Sequence, residues 1–543
     1  MSKSITAHAL ALALVLSTFS PTPGSAADPT SKTLQNRPVL SLPLLERKLI
    51  LAHHMTAWIG YPGIEKHALN LEPIPPGSAS DVVGTKSVAF MFGMVRNSPL
   101  IDLEDAVLHE IKTARRMGLD GFQFFYPIHM HDGFMRKYSL IVKTFIRQAE
   151  RHHPDFRVTL CLSAPTKPAS ESDCREQWAE HIRWLLHDTA TSPIWLRSPD
   201  GRLVFYTWVP DGLADPPPGK TPAHIHSRAG IAATAVTYEK LARAVGEEIA
   251  FIYHMRGIDA DWYAKLIYEY FPAAWRWVDG DMSAAVPRLS ALAQKHKRLF
   301  SPSVYPGFFG HTYRDADGNP NGGGVVGRDP VQQLWRPYHK TSQTTLYRRL
   351  LRSAVDTDAQ LISFITWNDT TEATQLIPEV NYNFALGVLL NHYRNEWLNQ
   401  PDRNDREIAI VAYKKHPLDQ PLDTDVSYRV ENERDFGSLA DESRGEIVTI
   451  LHKPAEVFLN GRRLASVDAG LQSTPFPFVA GQIQVQVRRN GRDVLTLKPS
   501  EQATNTPRRN DPVSFLFSSE FDRYFRDIFG PKATPYHLRE YPR

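Results

Sequence analysis

The chain has 543 residues, of which 42% are hydrophobic and 10% aromatic, enough to form a large core divided over two domains. Its 62 Lys and Arg against 59 Asp and Glu leave a formal net charge of +3. This balance excludes the strongly basic surface of proteins that bind nucleic acid or anionic membranes. We therefore expect no nucleic-acid partner and a substrate that is neutral or weakly charged.

Residues 1–27 have the pattern of a secretory signal peptide. Lys3 precedes an apolar run from Ala9 to Leu16, and small residues occupy positions 24–27. A basic start, a short apolar core and a small-residue cleavage site are typical of exported chains, so we expect a secreted or periplasmic protein. No later stretch reaches the roughly 20 uninterrupted apolar residues of a spanning helix, and no membrane span is expected in the mature chain.

Within a predicted catalytic domain at residues 28–404, the sequence from about residue 48 to about residue 400 alternates short apolar runs with amphipathic helical stretches. Eight such runs separated by helices predict a (β/α)8 TIM barrel of the α/β class. A doubly wound open sheet stays an alternative, although no glycine-rich nucleotide loop follows the first run. The predicted strands are Leu49–Ala52, Gly121–Tyr126, Val158–Leu162, Leu203–Tyr206, Ile249–Tyr253, Ala274–Val278, Leu299–Tyr305 and Leu361–Trp367.

Residues 405–543 lose the helical stripes and take a β pattern. Ile408–Tyr413 and Ile447–Leu451 have the composition of strands, and Asn460-Gly461 and Asn490-Gly491 are typical of two-residue hairpin turns. We predict a C-terminal β-sandwich-like accessory domain, which either binds glycan or braces the barrel. The aromatic segment from Phe515 onwards is expected to pack against the barrel.

Metal chemistry receives little support from the sequence. The two cysteines, Cys161 and Cys174, either form a disulfide or remain free thiols, and alone they cannot hold a structural zinc. The pairs His53-His54 and His129-Met130-His131 lack the His-Glu-x-x-His spacing of zinc hydrolases. We expect neither a metal nor a cofactor.

The ends of the predicted strands define a candidate site, because the C-terminal strand ends of such a barrel meet at one mouth. They are rich in aromatic rings, which cover the apolar face of a sugar, and in polar groups, which bind its hydroxyls. Which of them point into the mouth depends on a strand register that the sequence leaves open. The candidate substrate-binding residues are His53, His54, Tyr126, His129, His254, Trp277, Asp279, Tyr305, Trp367 and Asn368, and Trp208 also stands at a strand end.

The last predicted strand ends in Trp367-Asn368-Asp369-Thr370-Thr371-Glu372. Asp369 and Glu372 emerge together where the chain leaves the sheet. Two carboxyl groups at this place suit hydrolysis of a glycosidic bond, which needs one proton donor and one base. The structural alternative is a capping box, since Asp-x-x-Glu also occurs at the start of helices.

These motifs resemble those of glycoside hydrolase family 71, the endo-α-1,3-glucanases, and more distantly family 99, the endo-α-mannosidases and mannanases. The resemblance covers the barrel and rests on Ala52-His53-His54-Met55, on Gly118-Leu119-Asp120-Gly121-Phe122 and above all on residues 367–372. It implies that Asp369 activates water as the base and that Glu372 protonates the leaving oxygen as the acid, with inversion at the anomeric carbon.

The motif departs from the usual family 71 wording, Asn-Asp-Tyr-Gly-Glu-Ser, at Thr370, Thr371 and Ala373, and its continuation to Pro378 is closer to the Glu-Gly-Thr pattern of family 99. The resemblance therefore implies a secreted hydrolase of an α-linked polysaccharide or oligosaccharide. α-1,3-Glucan is the first choice and an α-mannan-type or other α-linked glycan the second. A rival from another class is a carbohydrate-binding protein that keeps the barrel without turnover.

Overall fold

The structure is a computed structural model, and it describes most of the barrel and of the domain after it. The described residues are 44–56, 103–127, 132–164, 171–210, 226–256, 258–309, 313–314, 320–321, 334–339, 341–369, 372–379, 381–400, 405–417, 428–432, 443–499, 501–505 and 514–531. The predicted signal segment and the candidate His129 lie outside these residues.

The described residues form a closed parallel barrel, so the predicted (β/α)8 fold is confirmed and the open sheet is wrong. Its wall follows the order β7-β6-β5-β4-β3-β2-β1-β13-β8. Strands β7 and β8 flank Pro302 as two halves of one wall position, the first pairing with β6 and the second with β13. Since β13 also pairs with β1, the ring closes. The wall strands are β1 (Leu49–His54), β2 (Gly121–Pro127), β3 (Arg157–Ser163), β4 (Leu203–Trp208), β5 (Ile249–His254), β6 (Ala273–Trp275), β7 (Leu299–Ser301), β8 (Ser303–Val304) and β13 (Leu361–Phe364).

Helices surround this wall and bury one face each against it, as the amphipathic stretches predict. They are α1 (Leu103–Arg116), α2 (Asp132–His152), α3 (Glu171–Leu186), α4 (Arg228–Val245), α5 (Asp261–Tyr270), α6 (Ala285–Lys295), α7 (Thr345–Asp356) and α8 (Ala385–Trp397). Among the described helices, none combines the length and the apolar character that crossing a bilayer requires. Between β8 and α7 the described residues form the short strands β9 (Phe308–Phe309), β10 (Tyr313–Arg314), β11 (Pro320–Asn321) and β12 (Leu334–His339).

Two glycines, one in the turn before β2 and one at its first residue, explain part of the motif at residues 118–122. Gly118 follows α1 with φ +102°, a conformation that side chains with a Cβ rarely adopt. Gly121 lies so close to β3 that a Cβ would stand 2.0 Å from the carbonyl oxygen of Arg157. This close approach sets the start of β2, and with it the position of the side chains at the mouth.

The second domain is antiparallel, as expected. One sheet has the order β19-β16-β14-β24 and the other β18-β17-β21-β22. The turns at Asn460-Gly461 and Asn490-Gly491 have positive φ at both residues, the geometry of tight hairpins. The strands of these two sheets are β14 (Ile408–Lys414), β16 (Gly445–Leu451), β17 (Ala455–Leu459), β18 (Arg462–Val467), β19 (Gly470–Phe476), β21 (Val485–Arg489), β22 (Arg492–Leu497) and β24 (Ser514–Ser518). Strands β20 (Gly481–Gln482) and β23 (Gln502–Ala503) pair with each other, and β15 (Tyr428–Asn432) pairs in parallel with β12 outside these sheets.

The C-terminal helix α9 (Phe521–Phe529) packs on the barrel. Arg116 of α1 donates to Asp527 at 2.8 Å, and its guanidinium lies 3.4 Å from the ring centroid of Tyr524. Asn391 of α8 donates to the Tyr524 hydroxyl at 3.0 Å. The aromatic segment therefore joins the two domains through their helices.

Candidate active site

Strand β1 sends two consecutive histidines to opposite sides of the barrel wall. His53 points into the barrel, where its ring meets Trp277 at 4.8 Å and Phe125 at 5.9 Å between centroids. His54 points outwards to the helices and lies 5.0 Å from Phe122 and 5.3 Å from Phe145. Because side chains alternate along a strand, only His53 lies at the mouth.

Four rings form an aromatic wall at the mouth. Trp208 stacks on His254 with an interplanar angle of 11° and a centroid distance of 6.2 Å. It also lies 6.0 Å from Trp277 and 6.3 Å from Phe125. Trp208, Trp277 and Phe125 are half-buried, so part of each ring remains open to a ligand. Flat, partly exposed rings of this kind suit the apolar face of a sugar.

The two buried histidines of the mouth are held neutral. Burial lowers the pKa of His53 to about 3 and that of His254 well below its ordinary value. The backbone N–H of Val209 donates to Nδ1 of His254 at 3.3 Å, so this nitrogen acts as an acceptor. Neutral imidazoles can donate and accept hydrogen bonds to hydroxyls without adding charge to the site.

The two carboxyl groups at the end of β13 are adjacent. The Glu372 N–H donates to Oδ1 of Asp369 at 3.1 Å, and the Asp369 N–H donates to Oγ1 of Thr366 at 2.8 Å. The first contact is the one that a capping aspartate makes. However, residues 372–379 form turns and a bridge rather than a helix. The capping-box interpretation therefore lacks a helix in residues 372–379, and the contact between Glu372 and Asp369 keeps the two residues adjacent at the mouth.

Glu372 is half-buried, and one oxygen of its carboxyl group is shielded from water. Its Oε2 atom is buried and has no hydrogen-bond partner within the described part of the chain. Burial first, and then the charge of Asp369, raise the pKa of Glu372 well above its usual value, while the indole of Trp277 opposes them. A carboxyl group that keeps its proton near neutral pH is the one that general acid catalysis requires.

The segment before the carboxyl groups is fixed to β1. Asn368 is fully buried, accepts from the Met55 N–H at 2.8 Å and donates to the Met55 carbonyl at 3.3 Å. The Trp367 N–H donates to the carbonyl of His53 at 2.7 Å. Asn368 is thus an anchor of the segment, placed beside the carboxyl groups by its backbone.

Three further candidates lie outside the mouth. The Tyr126 hydroxyl is hydrogen-bonded to Ser139 of α2 at 2.6 Å, and its side chain is buried on the helix side of β2. Trp367 likewise points outwards, with its ring 5.3 Å from Phe122. With His54, these residues occupy the strand positions whose side chains face the helices, so a direct sugar contact is not their role in this structure.

Two candidates at the ends of β6 and β8 form hydrogen bonds with other residues of the protein. Tyr305 is buried, donates to the Gly280 carbonyl, and has a pKa raised well above its usual value by burial. Asp279 is half-buried and accepts from Arg276 at 2.7 Å. Conversely, Phe125 was not among the candidates. It is the inward neighbour of Tyr126, and a strand register would have been needed to choose between them.

Within the described residues, no group of three or more His, Cys, Asp or Glu side chains has the arrangement of a metal site. Cys161 is a buried free thiol on β3, so the disulfide alternative with Cys174 is wrong.

No family model matches the chain, and no curated protein is significantly similar to it. Among solved structures it is similar to the GH99 endo-alpha-mannosidase from Bacteroides thetaiotaomicron, at 15% identity and a TM-score of 0.41, with 65% of this chain and 97% of that chain covered. It is also similar to a glycoside hydrolase-like protein at 12% identity and a TM-score of 0.39, over 68% and 98% of the two chains. A glycosyl hydrolase family 2 member from Bacteroides cellulosilyticus follows at 10% identity and a TM-score of 0.40, over 83% of this chain and 46% of that one. At these values the likeness carries no conclusion about activity.

Proposed function

We propose that this protein is a glycoside hydrolase in which Glu372 is the general acid and Asp369 the general base. The observation that carries the proposal is the position of Glu372, a half-buried carboxyl group with one shielded oxygen and a raised pKa, next to the carboxyl group of Asp369 at an aromatic barrel mouth. Glu372 donates its proton to the glycosidic oxygen as the bond breaks. Asp369 takes a proton from the water that attacks the anomeric carbon.

For the substrate, we propose an α-linked neutral glycan, with α-1,3-glucan first and an α-mannan-type glycan second. The partly open rings of Trp208, Trp277 and Phe125 favour a sugar, and the neutral histidines favour hydroxyl groups over charged ones. The motif at residues 367–372 favours families 71 and 99 over other glycosidases. We also propose inversion at the anomeric carbon, which the resemblance to these families implies. The signal-like pattern of residues 1–27 supports export of the protein.

The test compares wild type with Glu372→Gln and Asp369→Asn on α-1,3-glucan, α-1,6-glucan, α-mannan and a β-glucan. We expect wild type to release reducing ends from one α-linked polymer, and either variant to lose about 10²–10⁴-fold in rate. Glu248→Gln changes a carboxyl group that is 85% exposed and serves as the matched control, with full activity expected. NMR of the first product anomer distinguishes inversion from retention.

The rival function is carbohydrate binding without turnover, which the aromatic wall alone could support. In that case wild type releases no reducing ends from any polymer, while Glu372→Gln and Asp369→Asn keep the affinity for the glycan that wild type binds. Cleavage that persists in both carboxyl variants would contradict the proposed roles of Asp369 and Glu372.

A further inference from the structure

A buried carboxyl group lies on the helix side of the barrel wall, directly behind the mouth. Oε2 of Glu110, on α1, is hydrogen-bonded to Nε2 of His54 at 2.8 Å and accepts from Nε1 of Trp367 at 3.2 Å. All three side chains are completely buried. One oxygen atom therefore connects helix α1, strand β1 and the segment that leads to the catalytic carboxyl groups.

Glu110 lies on the buried face of its helix, where an apolar residue would be expected. Its neighbours on the buried face of α1 include Ala106, Val107, Ile111 and Ala114. A buried carboxyl group is costly to desolvate, and an apolar side chain of similar volume often gives equal or greater stability. Here Oε1 of Glu110 has no hydrogen-bond partner within the described residues, which adds to the cost. Stability alone is a poor reason for a carboxyl group at this place.

The network reaches the catalytic carboxyl groups through a short and well-bonded segment. The Trp367 N–H donates to the His53 carbonyl at 2.7 Å, and its carbonyl accepts from the N–H groups of Leu376 and Ile377 at 3.0 and 2.8 Å. Asp369 follows two residues later. The backbone of Trp367 is thus held by β1 and by residues 376–377, and its indole is held by Glu110, so the residue is fixed at both ends.

We infer that Glu110 is a positioning residue that orients Asp369 and Glu372 by fixing the indole of Trp367. This inference rests on the proposed function for its effect on rate. Glu110 touches no substrate, since it lies on the outer side of the wall from the mouth. It acts by holding the backbone of the catalytic segment in one orientation, and small displacements of catalytic groups are expensive in rate.

The kinetic test uses Glu110→Gln, which keeps the size of the side chain but replaces one acceptor oxygen with an NH₂ donor. We expect kcat to fall about 10–100-fold with KM changed less than about twofold, because substrate contacts remain in place. Glu104→Gln changes a carboxyl group on the same helix that is 63% exposed, and should leave both constants unchanged. If the apparent kcat of Glu110→Gln falls only in proportion to the fraction of folded enzyme, the role of Glu110 is structural instead.

A second variant, Trp367→Phe, removes the indole N–H and keeps an aromatic ring beside Phe122. If Glu110 acts through Trp367, the double variant should be no slower than the slower single variant. Independent, multiplied losses would overturn the inference. This variant also covers the case in which Glu110→Gln fails to fold, because it leaves the bond between Glu110 and His54 intact.

An activity-independent measurement separates this inference from the proposed function. The indole of Trp277 lies beside the carboxyl group of Glu372, so the ¹H–¹⁵N resonance of its N–H reports the position of that carboxyl group. We expect this resonance to shift in Glu110→Gln and in Trp367→Phe, and to stay unchanged in Glu104→Gln. If the resonance shifts in both variants while wild type cleaves no glycan, the positioning role stands and the proposed glycosidase activity is refuted. An unshifted resonance in folded variants would overturn the positioning role.

Discussion

The indole of Trp277 stands beside the carboxyl group of Glu372, where it opposes the rise in the pKa of that group, and the same ring meets His53 edge-on at 4.8 Å. Trp277 follows strand β6, and Glu372 follows strand β13, 95 positions later in the chain. Trp277 thus does two things at once. It lines the mouth with an aromatic face, and it limits how far burial and Asp369 raise the pKa of Glu372.

Replacing Trp277 with Phe should move the pH profile. Phe keeps a ring at the mouth but removes the N–H that favours the ionised carboxylate, so the pKa of Glu372 rises further. Since the general acid must be protonated, the alkaline limb of kcat/KM should shift to higher pH. Trp208→Phe is the matched control, because Nε1 of Trp208 has no partner within the described residues. An equal shift in both variants would contradict the role of the Trp277 indole.

Glu372→Gln should be more stable than wild type at neutral pH. The folded-state pKa of Glu372 is raised above its unfolded value of 4.5, so its contribution to stability is complete below pH 4.5 and is lost as the pH rises towards the folded pKa. A glutamine cannot ionise and shows no such loss. The measurement is the difference in Tm between variant and wild type at pH 4.5 and pH 7. We expect this difference to grow with pH, and a constant difference would refute a raised pKa.

His53 should make the protein sensitive to acid. Its pKa is lowered from 6.5 to about 3 by burial, so its stabilising contribution is complete above pH 6.5 and is lost as the pH falls towards 3. In His53→Leu this loss is absent. Between pH 7 and pH 4 the unfolding free energy of wild type should therefore fall by on the order of 3 kcal/mol more than that of the variant. Urea titrations at the two pH values measure this, and parallel changes would contradict it.

Glu446 should be essential to the junction of the two domains. Its carboxylate accepts from the N–H and the hydroxyl of Thr344 at 3.1 and 2.6 Å, and pairs with Arg348, while its side chain is only 5% exposed. Glu446→Ala leaves the half-buried Arg348 without this partner and the buried Thr344 hydroxyl without its acceptor, and should cost about 3 kcal/mol in unfolding free energy. Glu456→Ala breaks an exposed pair with Arg463 in the same domain and should cost less than about 1 kcal/mol. Equal costs would argue against a brace at this junction.

The architecture could be predicted because its signals are local. Buried parallel strands appear as continuous apolar runs. Each of the eight runs found in the sequence overlaps a strand of the barrel wall. The hairpins at Asn460-Gly461 and Asn490-Gly491 follow from residues that adopt positive φ easily. Strand ends were less predictable. The run Ala274–Val278 gives a strand of only three residues, Ala273–Trp275, because pairing with the neighbours stops there.

The residues themselves determined the chemistry that this chain can offer at the mouth: aromatic rings, imidazoles and two carboxyl groups at the ends of apolar runs. Only the tertiary structure decided which of them face the mouth. His53 and Phe125 point inwards, whereas their neighbours His54 and Tyr126 point to the helices, and a shift of one residue would exchange them. The approach of Trp277 to Glu372 and the hydrogen bond from Trp367 to Glu110 join distant parts of the chain. Such pairs leave no periodic pattern in the sequence, because closing the barrel is what brings them together.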